Sequence, residues 1–118
     1  MKKKTFLVTG GTGFIGSHIS ELLARKNFNV KIYDDNSLGK IHNIKKFKNR
    51  IKFIKGDIRN KKLLKKSLKG VDAVVHLAYI NGTKHFYNIP ITILDIAVKG
   101  LTNIIDCCID NKIKELYL

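Results

Sequence analysis

The most informative part of this sequence is Thr9-Gly10-Gly11-Thr12-Gly13-Phe14-Ile15-Gly16, close to the amino terminus. The residues directly before it, Thr5 to Val8, are of the kinds that suit a buried strand. After it, apolar residues recur at helical spacing and would share one face of a helix: Ile15, Ile19, Leu22 and Leu23. The order predicts a strand, a glycine-rich turn and an amphipathic helix over Phe14–Lys26.

Glycine recurs at every third position of this turn, at Gly10, Gly13 and Gly16, and Gly11 to Gly16 satisfies the general pattern G-x-G-x-x-G. Because glycine lacks a Cβ, the backbone can turn sharply and a ligand can approach the main chain closely. The unpaired N–H groups and the positive dipole end of the helix would then face a phosphate. The pattern alone is weak, but its place between a strand and a helix predicts a site for the pyrophosphate of a dinucleotide.

Strands and helices alternate along the rest of the chain. After the first strand, four more are predicted where apolar and β-branched residues cluster, at residues 30–33, 51–54, 71–77 and 113–118. Helices are predicted between them, one around Leu63–Leu68 that Gly70 would close and a longer one from Pro90 to Asn111. The alternation predicts an α/β fold, a Rossmann-type doubly wound parallel sheet of about five strands.

The longer helix carries one continuous apolar stripe formed by Leu94, Val98, Leu101, Ile105 and Cys108. Two segments show less regular patterns. Residues 38–47 are expected to form a short helical or irregular connection, and residues 79–89 an irregular loop.

A chain of 118 residues is one domain at most, and an apolar content of 44% is ordinary for a globular protein. Its longest apolar runs are too short to cross a bilayer, and the sequence shows no secretory signal. The adjacent cysteines Cys107 and Cys108 would point in different directions on a helix and are expected to be packing residues in a reducing compartment. We therefore expect a cytoplasmic protein with no membrane partner.

The net charge of +14 is the extreme value of the composition. It is compatible with a nucleic-acid-binding surface or with a lysine-rich surface that is simply solvated. The lysines are spread along the whole chain and aromatic residues do not alternate with them. This distribution favours the solvated surface, so no specific nucleic-acid partner is expected.

Asp34 lies eighteen residues after Gly16, at the carboxyl end of the second predicted strand. A carboxylate there can accept hydrogen bonds from the hydroxyls of an adenosine ribose and repels a 2′-phosphate, which favours NAD over NADP. Asp35 could do the same work. Asp57 follows the third strand, near the expected position of an adenine ring, although it could equally be a turn residue. His76, at the end of the fourth strand, is expected to be a structural group.

Several motifs in this order resemble those of the extended short-chain dehydrogenase/reductase superfamily, and within it the NAD-dependent sugar-nucleotide epimerases and dehydratases. They are Thr9–His18, Tyr33-Asp34-Asp35-Asn36, Lys55–Arg59, Val75–Ala78 and Val98–Asn103. The resemblance covers essentially the whole chain. It implies NAD as cofactor, a nucleotide-sugar as substrate of the full-length enzyme, and homodimers.

The resemblance also implies roles for individual residues. The pyrophosphate would be cradled by Gly10, Gly13, Phe14, Ile15 and Gly16. Asp34 would hold the adenosine ribose, with Asp35 and Asn36 close by. Asp57 and Ile58 would flank the adenine, and Leu77 and Ala78 would pass beneath the nicotinamide half.

The chain departs from the family pattern at Tyr79, where a small residue is usual, and at Ala97, where an asparagine is usual. Family members also use a Ser or Thr just after the fifth strand and a later Tyr-x-x-x-Lys pair, and none of the tyrosines here is followed by a lysine four residues on. No catalytic residue or metal ligand is therefore predicted. We expect residues 1–118 to be the NAD-binding Rossmann portion of the enzyme, truncated before the substrate domain.

Three alternatives remain open at this point. The enzyme could be a reductase or dehydrogenase of the same superfamily, acting on another hydroxyl or carbonyl substrate. The chain could be a non-catalytic dinucleotide-binding module. Its basic surface could also bind nucleic acid, with an affinity that falls steeply as salt rises.

Overall fold

The structure is a computed structural model that describes residues 3–35, 47, 49–79 and 87–118. In chain order its elements are β1 (Thr5–Thr9), α1 (Phe14–Arg25), β2 (Asn29–Asp34), β3 (Ile51–Lys55), α2 (Lys61–Ser67), β4 (Ala73–His76), α3 (Pro90–Asp110) and β5 (Glu115–Tyr117). The predicted elements in these ranges are confirmed, with ends that move by a few residues.

The strands form one parallel sheet of five in the order β3-β2-β1-β4-β5. From β1 the chain builds outward through β2 to β3, then returns to the other side of β1 for β4 and β5. The order therefore reverses next to β1, and open parallel sheets bind ligands beyond the carboxyl ends of the strands at such a reversal. Thr9, the last residue of β1, pairs with Tyr33 of β2 and with His76 of β4. The predicted Rossmann-type architecture is confirmed.

The sheet is covered on both faces. Leu7 of β1 packs into a cluster that includes Leu64 of α2 and Ile104 of α3. The next residue, Val8, packs into a second cluster with Ala24 of α1 and Ile32 of β2. Leu7 and Val8 are both fully buried, as expected where successive side chains of a central strand enter opposite layers. Burial of such side chains contributes about 1.5–3 kcal/mol each to stability.

The predicted helix boundaries have identifiable chemical causes. Pro90 stands at the start of α3, where its missing N–H is not needed, and Asn111 is the C-terminal cap. Gly70 follows α2 with φ at 77°, in the left-handed region, as predicted for a residue that closes a helix. The irregular connection predicted at residues 38–47 and the loop predicted at 79–89 lie mostly outside the described residues.

The apolar stripe predicted along α3 is present, but most of it does not face the core. Leu94 is 60% exposed and Val98 is 62% exposed, and of the stripe only Cys108 is buried. The helix instead buries a neighbouring face through Ile93, Gly100, Ile104 and Cys107. Both cysteines are buried and reduced, so their predicted packing role is confirmed.

Within residues 3–35, 47, 49–79 and 87–118, no helix is both long enough and apolar enough to span a membrane.

Candidate functional site

The glycine-rich turn packs against the segment that follows β4. Gly10 has φ at 69°, and a Cβ there would come within 2.9 Å of Ala78 N and of Leu77 C. A Cβ on Gly16 would overlap the carbonyl oxygen of Gly10. A side chain at either position would therefore separate backbone segments that are in contact, which explains why glycine is required there.

Helix α1 begins directly after this turn with an uncapped amino terminus. Gly13 is its N-cap, and within the described part of the chain no side chain caps it and no acidic residue stands in its first turn. The first helical hydrogen bond runs from Ser17 N to Gly13 O at 2.9 Å. The amides of the first turn and the positive end of the helix dipole thus face the carboxyl edge of the sheet. Phe14 and Ile15, the first two residues of α1, are 80% and 60% exposed.

Three hydrogen bonds tie the turn to β2. Gly10 N donates to Tyr33 O at 3.0 Å. Thr12 donates twice to Asp34 Oδ2, from its backbone N–H at 2.9 Å and from its hydroxyl at 2.6 Å. Asp34 is only 8% exposed and Thr12 is fully buried. The structure therefore places the Asp34 carboxylate directly against the glycine-rich turn.

Thr9 ties the turn to the end of β4. Its hydroxyl oxygen accepts from Leu77 N at 2.9 Å and from Ala78 N at 3.1 Å, and lies 2.7 Å from His76 Nδ1. Because both oxygen lone pairs are used, the hydroxyl proton is donated to His76 Nδ1, which must be unprotonated. His76 is therefore a neutral ring with its proton on Nε2, and burial lowers its pKa below the ordinary value. His76 is thus hydrogen-bonded within the fold, as its predicted structural role requires, and that it takes no part in catalysis stays a prediction.

The turn after β3 is hydrogen-bonded both to β2 and to α3. The Tyr33 hydroxyl donates to Asp57 O at 2.7 Å, and Asn103 Nδ2 of α3 donates to Ile58 O at 3.1 Å. Gly100 lies against Ile58, whose Cγ2 would be 2.8 Å from a Cβ on that glycine. Burial raises the pKa of Tyr33 to about 12, so its hydroxyl stays protonated as a donor.

The Asp57 side chain is held by a charged partner. Arg59 Nε lies 3.0 Å from Asp57 Oδ1 and Arg59 NH2 lies 2.8 Å from Asp57 Oδ2. Arg59 NH1 reaches Asp95 on α3 at 2.9 Å, and Lys99 also pairs with Asp95 at 3.1 Å. The hydrogen bonds that Arg59 donates lower the pKa of Asp57, and acceptance of these bonds by the carboxylates of Asp57 and Asp95 raises the pKa of Arg59. A network of exposed charges therefore links this turn to α3.

The structure thus brings most of the predicted residues to one edge of the sheet. Asp34 adjoins the glycine turn, Leu77 and Ala78 lie on the opposite side of it, and Asp57 and Ile58 follow the neighbouring strand. Asp35 is exposed beside Asp34, and Asn36 lies outside the described residues. That these residues contact a cofactor stays a prediction.

Sequence reasoning did not single out Thr12, Thr9 or Arg59, which hold the predicted residues in place. The glycine pattern leaves the position of Thr12 open, and no spacing rule marks it. The sequence does contain a signal for Asn103, because it falls in the motif Val98–Asn103, but its contact with Ile58 O depends on the fold.

Part of the positive charge is paired within the fold. Lys61 of α2 lies 3.0 Å from Asp106 of α3, and Lys65 lies 3.5 Å from Asp110. In the parts of the chain that the structure describes, no group of His, Cys, Asp or Glu could hold a metal ion.

Fold and site together define a Rossmann-type dinucleotide-binding domain, with a glycine-rich strand–turn–helix unit and a carboxylate at the end of the next strand. The sequence profile described as the "3-beta hydroxysteroid dehydrogenase/isomerase family" matches residues 7–117. The chain therefore belongs to the 3-beta hydroxysteroid dehydrogenase/isomerase family.

Individual relatives agree with this assignment. The UDP-N-acetyl-alpha-D-glucosaminuronate decarboxylase of Bacillus cytotoxicus is 32% identical over 98% of this chain and 36% of its own length. The structure of DesIV, a dTDP-glucose 4,6-dehydratase from Streptomyces venezuelae with NAD and TYD bound, has a TM-score of 0.90 at 30% identity over 95% of this chain and 38% of its own.

A third comparison is with the UDP-N-acetylglucosamine 4-epimerase of Methanobrevibacter ruminantium M1 in complex with UDP-N-acetylmuramic acid. It has a TM-score of 0.87 at 33% identity and covers 98% of this chain and 37% of its own. These similarities confirm the predicted resemblance to NAD-dependent sugar-nucleotide epimerases and dehydratases. The chain spans about a third of the length of the curated relatives that it matches first, with coverages of 32%, 36% and 35%.

Proposed function

We propose that this chain binds NAD at the carboxyl edge of its sheet, as the cofactor-binding part of an NAD-dependent epimerase or dehydratase that acts on a nucleotide-sugar. One observation carries the proposal: the uncapped amino terminus of α1 and the carboxylate of Asp34 lie side by side, joined through Thr12. A cluster of amides suits a pyrophosphate, and an adjacent carboxylate suits a ribose diol.

The glycine turn fits the pyrophosphate on its own geometry. The Cβ that a side chain at Gly13 would add comes 3.3 Å from Gly10 O, so a side chain there would press against the backbone of the turn. The amides of Phe14, Ile15 and Gly16 belong to the uncapped first turn of α1. We propose that these amides bind the pyrophosphate, and that Gly10 lets the chain pass close to it.

The remaining residues fit the rest of the cofactor. Asp34 would hold the adenosine ribose with Asp35 and Asn36 nearby, and the turn at Asp57 and Ile58 would flank the adenine. Leu77 and Ala78, fixed by Thr9 on the other side of the glycine turn, would lie beneath the nicotinamide. This order follows the edge of the sheet from β3 through β2 and β1 to β4.

When bound, NAD would accept a hydride from a sugar carbon and return it. The residues of this chain bind and orient the cofactor in this proposal, and none of them is assigned a catalytic role. Residues 1–118 are proposed to be the NAD-binding portion, with the substrate-binding and catalytic groups contributed from outside it. Two relatives support this reaction class: the similar dehydratase has NAD and TYD bound, and the similar epimerase has UDP-N-acetylmuramic acid bound.

A second candidate is a dehydrogenase or reductase of the same superfamily, which the description of the matching family favours. Net turnover separates the two, because an epimerase or dehydratase returns the hydride and leaves no NADH, whereas a dehydrogenase accumulates NADH. The protein, expressed at the length its gene encodes, should bind NAD in a calorimetric titration and convert a nucleotide-sugar without net NADH. NADH accumulation would select the dehydrogenase, and absence of NAD binding would reject both candidates.

The finer predictions about partners and compartment are also proposals. The exposed stripe of α3 supports a homodimer, because Leu94 and Val98 would leave water if a second copy packed there. The two free buried cysteines support the cytoplasm as compartment. Leu94→Lys should then convert a dimer to a monomer in sedimentation analysis, whereas Thr92→Lys, on the other side of the same helix, should not. A dimer that persists in Leu94→Lys would reject this interface.

A further inference from the structure

We propose that Thr12 fixes the orientation of the Asp34 carboxylate and thereby sets the preference of the site for NAD over NADP. This inference rests on the proposed function and adds a positioning residue to it. Thr12 acts through Asp34 rather than on the cofactor itself.

The contact between the two residues is short and shielded. Thr12 donates to Asp34 Oδ2 from its amide at 2.9 Å and from its hydroxyl at 2.6 Å. A carboxylate oxygen can only accept, and the hydroxyl distance lies in the range of charge-assisted hydrogen bonds. Thr12 is fully buried and Asp34 almost so, which limits competition from water. Two donors on one oxygen restrict rotation of the carboxylate about its bond to the side chain.

The backbone that presents Thr12 is itself held against β2. Gly10 N donates to Tyr33 O at 3.0 Å, and Gly11 lies so close to Ile32 that a Cβ on it would come 2.7 Å from that side chain. A change in the Thr12 side chain leaves these attachments in place. The contribution of the hydroxyl can therefore be removed separately from that of the turn.

The orientation of Asp34 affects the two cofactors in opposite directions. A fixed carboxylate can accept from the ribose hydroxyls of NAD and repels the 2′-phosphate of NADP. Without the Thr12 hydroxyl, Asp34 Oδ2 keeps the amide donor but loses its shorter hydrogen bond, so the carboxylate is less firmly oriented and can rotate more. Rotation weakens the bonds to the ribose and lets the negative charge turn away from a 2′-phosphate. The ratio of the two affinities therefore reports the orientation.

The test is a calorimetric titration of the full-length protein with NAD and with NADP. In Thr12→Val, which removes the hydroxyl at nearly constant volume, the ratio of NAD to NADP affinity should fall about tenfold, the effect of one lost hydrogen bond to a charged group. Thr12→Ser keeps the donor and should restore the ratio. The matched control is Ser20→Ala, which removes a buried hydroxyl of α1 that has no hydrogen-bond partner among the described residues and should leave the ratio unchanged.

An unchanged ratio in Thr12→Val, with or without a lower melting temperature, would overturn the inference, because a purely structural residue changes stability and not selectivity. If Thr12→Val does not fold, Thr12→Ala removes the same hydroxyl without placing a methyl group against the carboxylate, and the same ratio decides. A wild-type protein that binds neither cofactor would reject the proposed function itself. If the protein instead binds NAD and keeps its preference for NAD over NADP without the Thr12 hydroxyl, only the inference about Thr12 is rejected.

Discussion

Asp34 ends β2 and Asp57 follows the neighbouring strand β3, and the described contacts of the two carboxylates differ in kind. Asp34 is buried, and its Oδ2 accepts two hydrogen bonds from Thr12, an uncharged residue of the glycine turn. The side chain of Asp57 is 36% exposed and pairs with the guanidinium of Arg59. Buried hydrogen bonds to a rigid turn fix a geometry, whereas exposed ion pairs contribute little energy and are screened by salt. The comparison therefore predicts that the proposed ribose side of the site, at Asp34, is rigid and that the proposed adenine side, at Asp57, is adjustable.

Gly16→Ala should give the largest effect, because it disrupts the turn that holds Asp34. The added Cβ would overlap Gly10 O, and relief of that overlap requires movement of backbone. We expect a loss of about 3 kcal/mol in the free energy of unfolding and loss of NAD binding, measured by denaturation and calorimetry.

The control for this variant is Gly70→Ala, where a Cβ would meet no described residue within 4 Å and the left-handed φ of 77° is the unfavourable feature. It should cost about 1 kcal/mol and leave NAD affinity unchanged. Equal effects of Gly16→Ala and Gly70→Ala on NAD affinity would show that the glycine turn is not needed for NAD binding.

Removal of each carboxylate in turn should affect NAD binding to different extents at Asp34 and at Asp57. Asp34→Ala is expected to weaken NAD binding about a hundredfold and to reduce discrimination against NADP, because ribose acceptors and the repelling charge are lost together. Asp57→Ala should weaken NAD binding about threefold and leave the discrimination unchanged. NAD affinity that is equal in Asp34→Ala and the wild type would reject the ribose assignment.

A pH scan should distinguish the Thr9–His76 hydrogen bond at the turn from the ion pair between Asp57 and Arg59. Burial lowers the pKa of His76 below its ordinary 6.5, so the unfolded state takes up a proton first. The stabilisation from the Thr9–His76 hydrogen bond is then complete above pH 6.5 and is lost as pH falls towards the folded pKa. The pKa of Asp57 is also lowered, from 3.8, so its contribution lasts until the pH falls below that value.

Thermal melts should therefore show a lower melting temperature at pH 5 than at pH 7, a loss that His76→Gln removes and Asp57→Asn does not. A loss between these pH values that persists in His76→Gln would show that another group titrates.

The difference between the two carboxylates also shows how far the sequence alone could predict the site. The glycine turn and Asp34 could be predicted because a strand, a turn and a helix are local patterns with fixed spacing. The contact between Thr12 and Asp34 could not, since it joins residues 22 positions apart through a rotamer and a strand register. Arg59 could be recognised only as part of a motif, because its bridge to Asp95 spans 36 positions.

Helix α3 shows a similar limit to what the sequence alone can predict, here for packing. Two faces of α3 carry apolar residues at helical spacing. One contains Ile93 and Ile104, and the other contains Leu94 and Val98. Only the first is buried. Periodicity predicts that the helix is amphipathic, but which of two adjoining apolar faces meets the sheet depends on α2 and β4, which lie elsewhere in the chain.

The smallest expected effect is that of Arg59→Gln, which removes the exposed partner of Asp57 and Asp95. The side chain of Arg59 is 35% exposed and those of its partners are 36% and 29% exposed, so solvent screens both pairs. We expect a loss of about 0.5 kcal/mol at low ionic strength that disappears in about 1 M salt, measured by denaturation at both salt concentrations. Thr12→Val should cost the same at both, because its bond is buried. If salt abolished the loss in free energy of unfolding caused by Thr12→Val, the ribose side would not be the shielded one. If the loss caused by Arg59→Gln persisted in salt, the adenine side would not be the screened one. Either result would contradict the contrast between a rigid ribose side and an adjustable adenine side.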